Sequence, residues 1–597
     1  MYASRGDDHI AARKEWFFRR LLRSDARQRA AAIQKIRLDL VEMDPHTLDI
    51  HVPTLRRLAR GAPLPDVRTG CRDILDELNT PYDSNDDSPV SYCMDPHEIV
   101  DVTAANDPDL EAIFVKCFLQ SGRVSHLTRM LAWHTPYLKL HRSLISSIML
   151  SDGPLPLEWR NYIALMAASE YRCHYVCILH QHYFLINGGD AAWLDGLDYV
   201  PSKLARLHSL NALLAHQPWL ITSDDVAALL QTTTDCDGSS WSVSELVHAI
   251  VVMCMFHSIS SIALGLGCVD EPDMTFLSST SMFVPTMRSR RKSSSLSDRK
   301  SECSSTGVPE YDHVRMEEEE AELRARFQAH HSSAGDPNNS SDDSSSDDDD
   351  GDARDGSDDD DGDDAPFDLA AALSGSSGCG KHHRVSSRRL HSRDDSIEPA
   401  VAPRKGDLWH YCSETIDEYV DFDVRSTEYN VLHTEDFSWD EHCFSLVSRY
   451  FPGPGGAILE DLFKLTMTLT YRTYGKAPHQ VLESTHPNQH DDDAAQNESH
   501  VDTTPFRHAI WYYVHRIYGI CHDDYDYRNV NIYLNRPTKQ FVKKVACTPW
   551  RVAAKDVEHF SHTLTASEKC HVTLLAAEAR KQAGLMYGLR AVMQHFL

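Results

Sequence analysis

The chain has 597 residues, with 59 Lys and Arg against 89 Asp and Glu for a formal net charge of −30, and that length suits two or three domains. Residues 341–364 carry 14 Asp against one Arg and so supply −13 of that charge; the remainder is only mildly acidic, which argues against a general nucleic-acid surface. Fifteen cysteines, an odd number without paired C-x-x-C spacing behind a charged start (MYASRGDDHIAARKEWFFRR), point to free thiols in a reducing compartment rather than to a disulfide framework, and they mark no metal site.

In chain order, residues 1–70 hold an Arg-rich amphipathic stretch, HIAARKEWFFRRLLRSDARQRAAAIQKIRLDLVEM, which predicts helix with a solvated basic face. Residues 71–105 are rich in Asp, Pro and Ser and predict loop, after which helical patterns run to Val269. Within them the segment from Asn161 to Leu194 stands out. Tyr162, Ile163, Leu165, Met166, Ala167 and Ala168 are apolar on every side, as in a helix covered all round, and Gly188-Gly189 predict a left-handed C-terminal cap. Cys173, Cys177 and His180 stand at i, i+4 and i+7, one face of a helix. A rise of 1.5 Å per residue separates Cys173 from Cys177 by about 6 Å along the axis and from His180 by about 10 Å, so activation of the thiol would need a relay through Tyr175, a water or another helix. Buried Cys and His on an apolar helix are also ordinary core residues, and the spacing alone leaves both readings open.

Leu246 to Val269 is 24 residues without a formal charge, long enough to cross a bilayer. Its two His, three Ser, two Gly and flanking Glu245 predict a buried bundle helix instead. From Glu271 to Arg404 the chain is Ser/Asp-rich and poor in large apolar residues, the composition of a disordered linker. A short helix at MEEEEAELRARFQ fits within it, and its RSRRKSSS and HHRVSSRRLHS clusters read either as phosphorylation or nuclear signals or as chance basic tracts. The C-terminus closes with an amphipathic helix through Val572, Leu575, Ala579, Met586, Leu589 and Met593. The expected organisation is an amphipathic and flexible region at 1–105, a helical domain at 106–270, the linker at 271–405 and a second helical domain at 406–597.

The run Cys173, Tyr175, His180, then Gly188, Gly189, Asp190, Trp193 and Leu194 resembles the sestrin family, with eight positions agreeing over 22. The resemblance extends to DGPLPLEWRNYIALMAA, LARLHSLNALLAHQPWLIT, SSWSVSEL and HSISS in the first half. In the second half it runs from FSWDEHCFSLVSRYFP through LTYRT, RHAIWYYVHRIYGICHDDYDY, CTP and SEKCHVTLL. It implies an all-α fold of two helical domains, each like the bacterial alkyl-hydroperoxidase AhpD, packed about a pseudo-twofold axis.

Three sites follow from the resemblance. The first is a peroxidase-like triad of Cys173, Tyr175 and His180, with Cys173 oxidised by alkyl hydroperoxides; the position three after it, where AhpD carries its resolving thiol, is Val176 here. The second is a leucine pocket in which Glu568 holds the α-ammonium and Arg507 the α-carboxylate. Thr470, Thr473 and Thr503 would form a latch, with Tyr471 and Arg472 in the same run and His134 facing it from the first domain. Ser561 stands where the strongest leucine sensors carry Trp, and Arg472 where they carry Asn. The third is a contact surface at Ser242, Asp523 and Asp524 for the GATOR complex. The resemblance thus implies a stress- and amino-acid-responsive inhibitor of TOR complex 1, released by L-leucine and lowering reactive oxygen species, in the cytoplasm with the nucleus as a second compartment. It needs no cofactor, metal, nucleic acid or membrane insertion. The rival readings are an alkyl-hydroperoxide reductase acting through Cys173 and a scaffold that has lost both ligand and catalysis.

Overall fold

The computed structural model describes residues 17–80, 89–104, 107–231, 240–271, 273–274, 409–412, 431–451, 453–469, 502–560 and 564–597. The acidic run, the basic clusters, the MEEEEAELRARFQ segment and Thr470, Tyr471, Arg472, Thr473 and Ser561 lie outside the described residues. The described chain is helical apart from two short strands, β1 (Leu432–His433) and β2 (Ile520–Cys521), which pair in parallel, and an isolated bridge between Ser91 and Cys268.

Three N-terminal helices, α1 (Ala26–Val41), α2 (Pro45–Gly61) and α3 (Pro65–Glu77), form a layer with its own apolar core. Asp25 and Asp44 cap the first two by accepting backbone amides, and proline opens the second and third, as helix starts favour. Residues 71–77, read as loop from their acidic composition, are the last turns of α3. Val67, Cys71, Ile74 and Leu75 are buried at helical spacing, and the interspersed Asp and Glu occupy the outer face.

The first half continues with α4 (Pro108–Ser121), α5 (His126–Leu131), α6 (Thr135–Met149), α7 (Leu157–Glu170), α8 (His174–Ile186), α9 (Ser202–Ala205), α10 (His208–His216), α11 (Ser223–Leu230) and α12 (Val243–Gly265). The second half holds α13 (Phe444–Tyr450), α14 (Gly455–Thr468), α15 (Thr504–Ile517), α16 (Arg528–Tyr533), α17 (Arg536–Cys547), α18 (Ala554–His559) and α19 (Ala566–His595). One hydrophobic core runs through both halves. Tyr411 contributes to it from the second half, donating to the Leu194 carbonyl at 2.9 Å.

The two halves repeat one local design. After α10 comes a Pro218–Leu220 turn, and after α17 a Pro549–Arg551 turn. The residue before each proline has matching dihedrals (Gln217 φ −145°, ψ 58°; Thr548 φ −139°, ψ 57°). So do the residues that open the next short helix (Thr222 φ −116°, ψ 165°; Ala553 φ −116°, ψ 163°). Each repeat then ends in a long buried helix with a capping box, Ser242 with Glu245 on α12 and Thr565 with Glu568 on α19. The long helices cross antiparallel. A Cβ on Gly265, the twenty-third residue of α12, would lie 2.7 Å from Thr573, the eighth of α19; a Cβ on Gly588, the twenty-third of α19, would lie 2.9 Å from Ile250, the eighth of α12. That exchange of positions is what a pseudo-twofold axis through the crossing requires. The apolar stretch of α12 that is long enough to cross a membrane is wholly buried inside the protein.

The sequence expectation fails at the start of the linker. Glu271 and Asp273 are only 2% exposed and belong to the fold. Asp273 receives two Arg123 nitrogens at 3.1 Å and Arg57 Nε at 2.9 Å, while Glu271 accepts the His126 amide at 2.7 Å. Composition read these acids as part of a polar run, whereas their arginine partners lie some 150 and 216 residues away in sequence.

Burial holds many imidazoles neutral. His141, His180, His216 and His571 are each pushed down to about 3, and His248 to about 4, chiefly because the interior disfavours the cation. Unfolding exposes them to protonation below about 6.5, so their stabilising effect is complete above that pH and is lost as pH falls toward 4. Each histidine contributes up to about 1.4 kcal/mol per pH unit in that window. Glu170, raised to about 8 by burial, acts in the opposite sense but is one group against five. The urea midpoint is therefore expected to fall by several tenths molar or more between pH 7.5 and pH 5.5; equal midpoints would contradict this account.

Candidate functional sites

The expected single helix through Cys173 is broken. Helix α7 ends at Glu170, Arg172 adopts a left-handed backbone at φ 52°, and Cys173 is the N-cap of α8 rather than an interior residue. The Arg172 amide donates to Ser169 O at 2.9 Å and the Cys173 amide to Ala168 O at 3.0 Å, the paired closure of a Schellman motif. Arginine costs roughly 1–2 kcal/mol there relative to a right-handed residue, and its guanidinium is held 5.3 Å over the Trp550 ring. With no glycine to signal it, the break was invisible in the sequence. The break at Gly188 was legible: its φ is +91° and Gly189 N donates to Phe184 O at 2.9 Å.

The triad residues therefore do not act on one another directly. Cys173 is fully buried, and burial pushes its thiol up to about 12; the groups that favour its thiolate are the Val176 amide and the Ser260 hydroxyl, not an imidazole. His180 Nδ1 instead meets Asn161 Oδ1 at 3.0 Å, with its ring edge-on to Phe256. Tyr175 donates to Glu271 Oε1 at 3.3 Å and accepts the Leu127 amide at 3.1 Å. Cys177, also buried, lies 3.5 Å from Ser169 Oγ, and both thiols are free. A cavity of about 270 Å³ reaches Asn161, Tyr175 and His180 and is roofed by Phe18, Leu22 and Arg57 of the N-terminal layer. Asn161 and Glu271 were not singled out in the sequence, because neither is chemically distinctive away from its partner.

The second group is assembled at the seam between the halves. Arg507 on α15 donates through Nε to Met467 O at 2.8 Å, through Nη1 to Thr503 Oγ1 and through Nη2 to Thr504 Oγ1 at 2.8 Å. Glu568 on α19 closes its capping box by accepting the Thr565 amide at 3.1 Å. His134 reaches across from the first half and donates Nε2–H to Ser567 O at 2.8 Å. His571 lies beside it at 5.7 Å between rings and donates to Thr466 O at 2.7 Å. Burial lowers both imidazoles; at His134 it outweighs the Glu568 carboxylate, which favours the cation, and at His571 the Arg507 charge adds to it. Thr503, Arg507 and Glu568 are buried, so a polar, charged patch stands inside the protein where the chain leaves α14 toward residues 470–501. His571 and Thr466 join this patch although the sequence reading omitted them.

At the third group, Ser242 caps α12, its Oγ accepting the Glu245 amide at 3.3 Å, and Lys203 binds both Glu245 oxygens at 2.8 Å. Asp523 and Asp524 are exposed in the turn after β2, where Asp523 Oδ1 lies 2.5 Å from His433 Nδ1.

The chain as a whole is similar to known proteins. Residues 89–596 match the family model described as PA26 p53-induced protein (sestrin). The chain is 33% identical over 580 residues to a sestrin homolog of Dictyostelium discoideum, covering 97% of this chain and 88% of that protein. It is 32% identical over 499 residues to Sestrin-1 of Macaca fascicularis, covering 83% and 88%, and 32% identical over 482 residues to Sestrin-2 of Homo sapiens, covering 81% and 86%.

The chain belongs to the sestrin family.

The match begins at residue 89, so the N-terminal layer that roofs the cavity in this sestrin precedes the part the family model covers. The buried thiol sets a limit on its chemistry. Burial pushes the Cys173 pKa up to about 12, so its thiolate, the reactive form, is scarce at pH 7. Alkylation of Cys173 by iodoacetamide in the folded protein is expected to run at least roughly a hundredfold slower at pH 7 than for a solvent-exposed cysteine, and to rise about tenfold per pH unit. Peptide mapping measures this, and a rate matching a free thiol would show an activated site.

Proposed function

We propose that this sestrin-type regulator senses leucine at the seam between its halves and restrains TOR complex 1 by binding the GATOR complex through the Asp523-Asp524 turn. The observation that carries this reading is that Thr503, Arg507 and Glu568 are buried and that half-buried His134 reaches from the first half to Ser567, next to Glu568. A free amino acid presents an ammonium and a carboxylate, and a selective site answers them with a carboxylate and a guanidinium set among apolar walls. Glu568 and Arg507 supply that pair. To bind a ligand carboxylate, Arg507 exchanges its contacts to Thr503 and Thr504 for the new one, which links occupancy to the start of α15. The family resemblance adds the Thr470–Thr473 run and Ser561, which lie outside the described residues.

The peroxide reading is the weaker one. It requires Cys173 to be approached by substrate and deprotonated, whereas the cavity wall is formed by Tyr175 and His180 and the thiol is held protonated by burial.

Calorimetry on the full chain tests the sensor. Glutamine retains the capping function of Glu568 while removing its charge, so Glu568→Gln and Arg507→Ala are each expected to weaken leucine binding by more than about tenfold, because losing one partner of a buried charged contact typically costs about 2–5 kcal/mol. No leucine heat from the unaltered protein at millimolar ligand would end the sensor reading.

The partner surface is tested separately. Replacing Asp523 and Asp524 together by Ala should reduce capture of the purified GATOR complex while leaving leucine affinity unchanged, since exposed carboxylates contribute mainly to complementarity and encounter. Capture equal to that of the unaltered chain would leave them as a solvated turn.

A further inference from the structure

We propose that His433, Cys521 and Asp523 form a binding site for a zinc ion. Their donor atoms, an imidazole nitrogen, a thiol sulfur and a carboxylate oxygen, lie within 4.8 Å of one another. Their convergence comes from the backbone: parallel pairing of β1 with β2 sets His433 directly beside Cys521, and Asp523 follows two residues later in the turn. Leu432 N donates to Gly519 O at 2.8 Å and Thr434 N to Cys521 O at 3.0 Å, so the register is fixed on both sides of the site.

The chemistry of the donors selects the ion. Thiolate and imidazole together favour zinc over magnesium or calcium, which prefer oxygen ligands throughout. Bonds of about 2.0–2.3 Å place tetrahedral donors roughly 3.5 Å apart, so His433 and Asp523, now 2.5 Å apart, separate by about an ångström while the remaining gaps, none above 4.8 Å, close by about as much. Binding breaks the existing contact in which Nδ1 of His433 meets Asp523 Oδ1. The Nδ1 lone pair passes to the metal and the ring proton resides on Nε2, while the Cys521 thiol loses its proton to solvent. Burial and the Asp523 carboxylate raise the free Cys521 thiol against the opposing Arg516 guanidinium and Tyr527 hydroxyl, and the charge of the bound ion is what drives its deprotonation. Cys521 is half-buried, His433 partly exposed and Asp523 exposed, so the ion enters from solvent and water takes the fourth position.

The site differs from the buried thiols in a way that an experiment can read. Cobalt(II) added to the reduced full-length protein serves as the spectroscopic probe. A thiolate-to-cobalt charge-transfer band in the near ultraviolet and tetrahedral bands in the visible are expected, both abolished by one equivalent of zinc. Cys521→Ser should eliminate the charge-transfer band, and His433→Gln and Asp523→Asn should each lower zinc affinity, measured against a competing chelator, by about tenfold or more. Far-ultraviolet circular dichroism checks that each variant folds, and the His433 and Asp523 variants carry the test should the Cys521 variant fail to do so. Absence of a charge-transfer band in the unaltered chain, or its persistence in Cys521→Ser with unchanged zinc affinity in the other two, overturns the proposal. Because these measurements use the isolated chain, they stand apart from the test of Asp523 as a partner contact.

Discussion

The antiparallel crossing of α12 and α19 is the constraint on which the rest of the molecule depends. Glycines at Gly265, Gly584 and Gly588 let the two backbones approach so closely that added Cβ atoms would meet Thr573, Cys254 and Ile250 at 2.7, 3.1 and 2.9 Å. Side chains inserted there would have to push the helices apart, and overpacking of a filled core costs about 1–3 kcal/mol per site. Both helices are buried along nearly their whole length, so the crossing cannot loosen without opening the shared core of both halves.

Charged groups inside that core are tolerated because each is met by a specific partner. Arg580 donates to Leu214 O at 2.7 Å and Ala215 O at 3.1 Å and lies between the rings of Tyr171 and Tyr518. Glu578 accepts the Tyr137 hydroxyl at 2.8 Å and pairs with Lys581. These contacts tie α19 to elements of the first half. Removing one partner would leave a buried charge uncompensated, which is far costlier than the pair is stabilising. The seam is therefore specific in register as well as apolar.

Much of this was legible before any coordinates. The all-round apolar pattern of α7 and α12 and the Gly188 cap follow from local rules, and the structure obeys them; α19 is a helix as its periodicity requires, but it is buried on nearly every side rather than amphipathic, because the other half packs on its charged face. What stayed hidden depended on partners remote in sequence or on a residue used against its type. Arg172 occupies a left-handed position usually given to glycine, so one expected helix became two and Cys173 moved from a helical face to a cap. Glu271 and Asp273 looked like linker because their arginines are distant. His433 and Cys521 carry no spacing signal at all, since only the β1–β2 register makes them neighbours.

The duplicated capping box shows how one local solution serves two ends. In each half a Ser or Thr and the Glu three residues on satisfy the free amides at the start of the long helix, which places a carboxylate at a fixed point beside the core. In the first half that carboxylate, Glu245, is held by Lys203, whose ammonium lies 5.2 Å from the Trp241 ring. In the second half the equivalent Glu568 faces His134, which the pseudo-twofold packing brings in from the other half. The cap requires the carboxylate in both halves, while the surroundings decide whether it is paired with a lysine or set beside a histidine that burial keeps neutral. A binding site at this seam needs no departure from the fold, only a different set of neighbours around a residue that the helix start already demands.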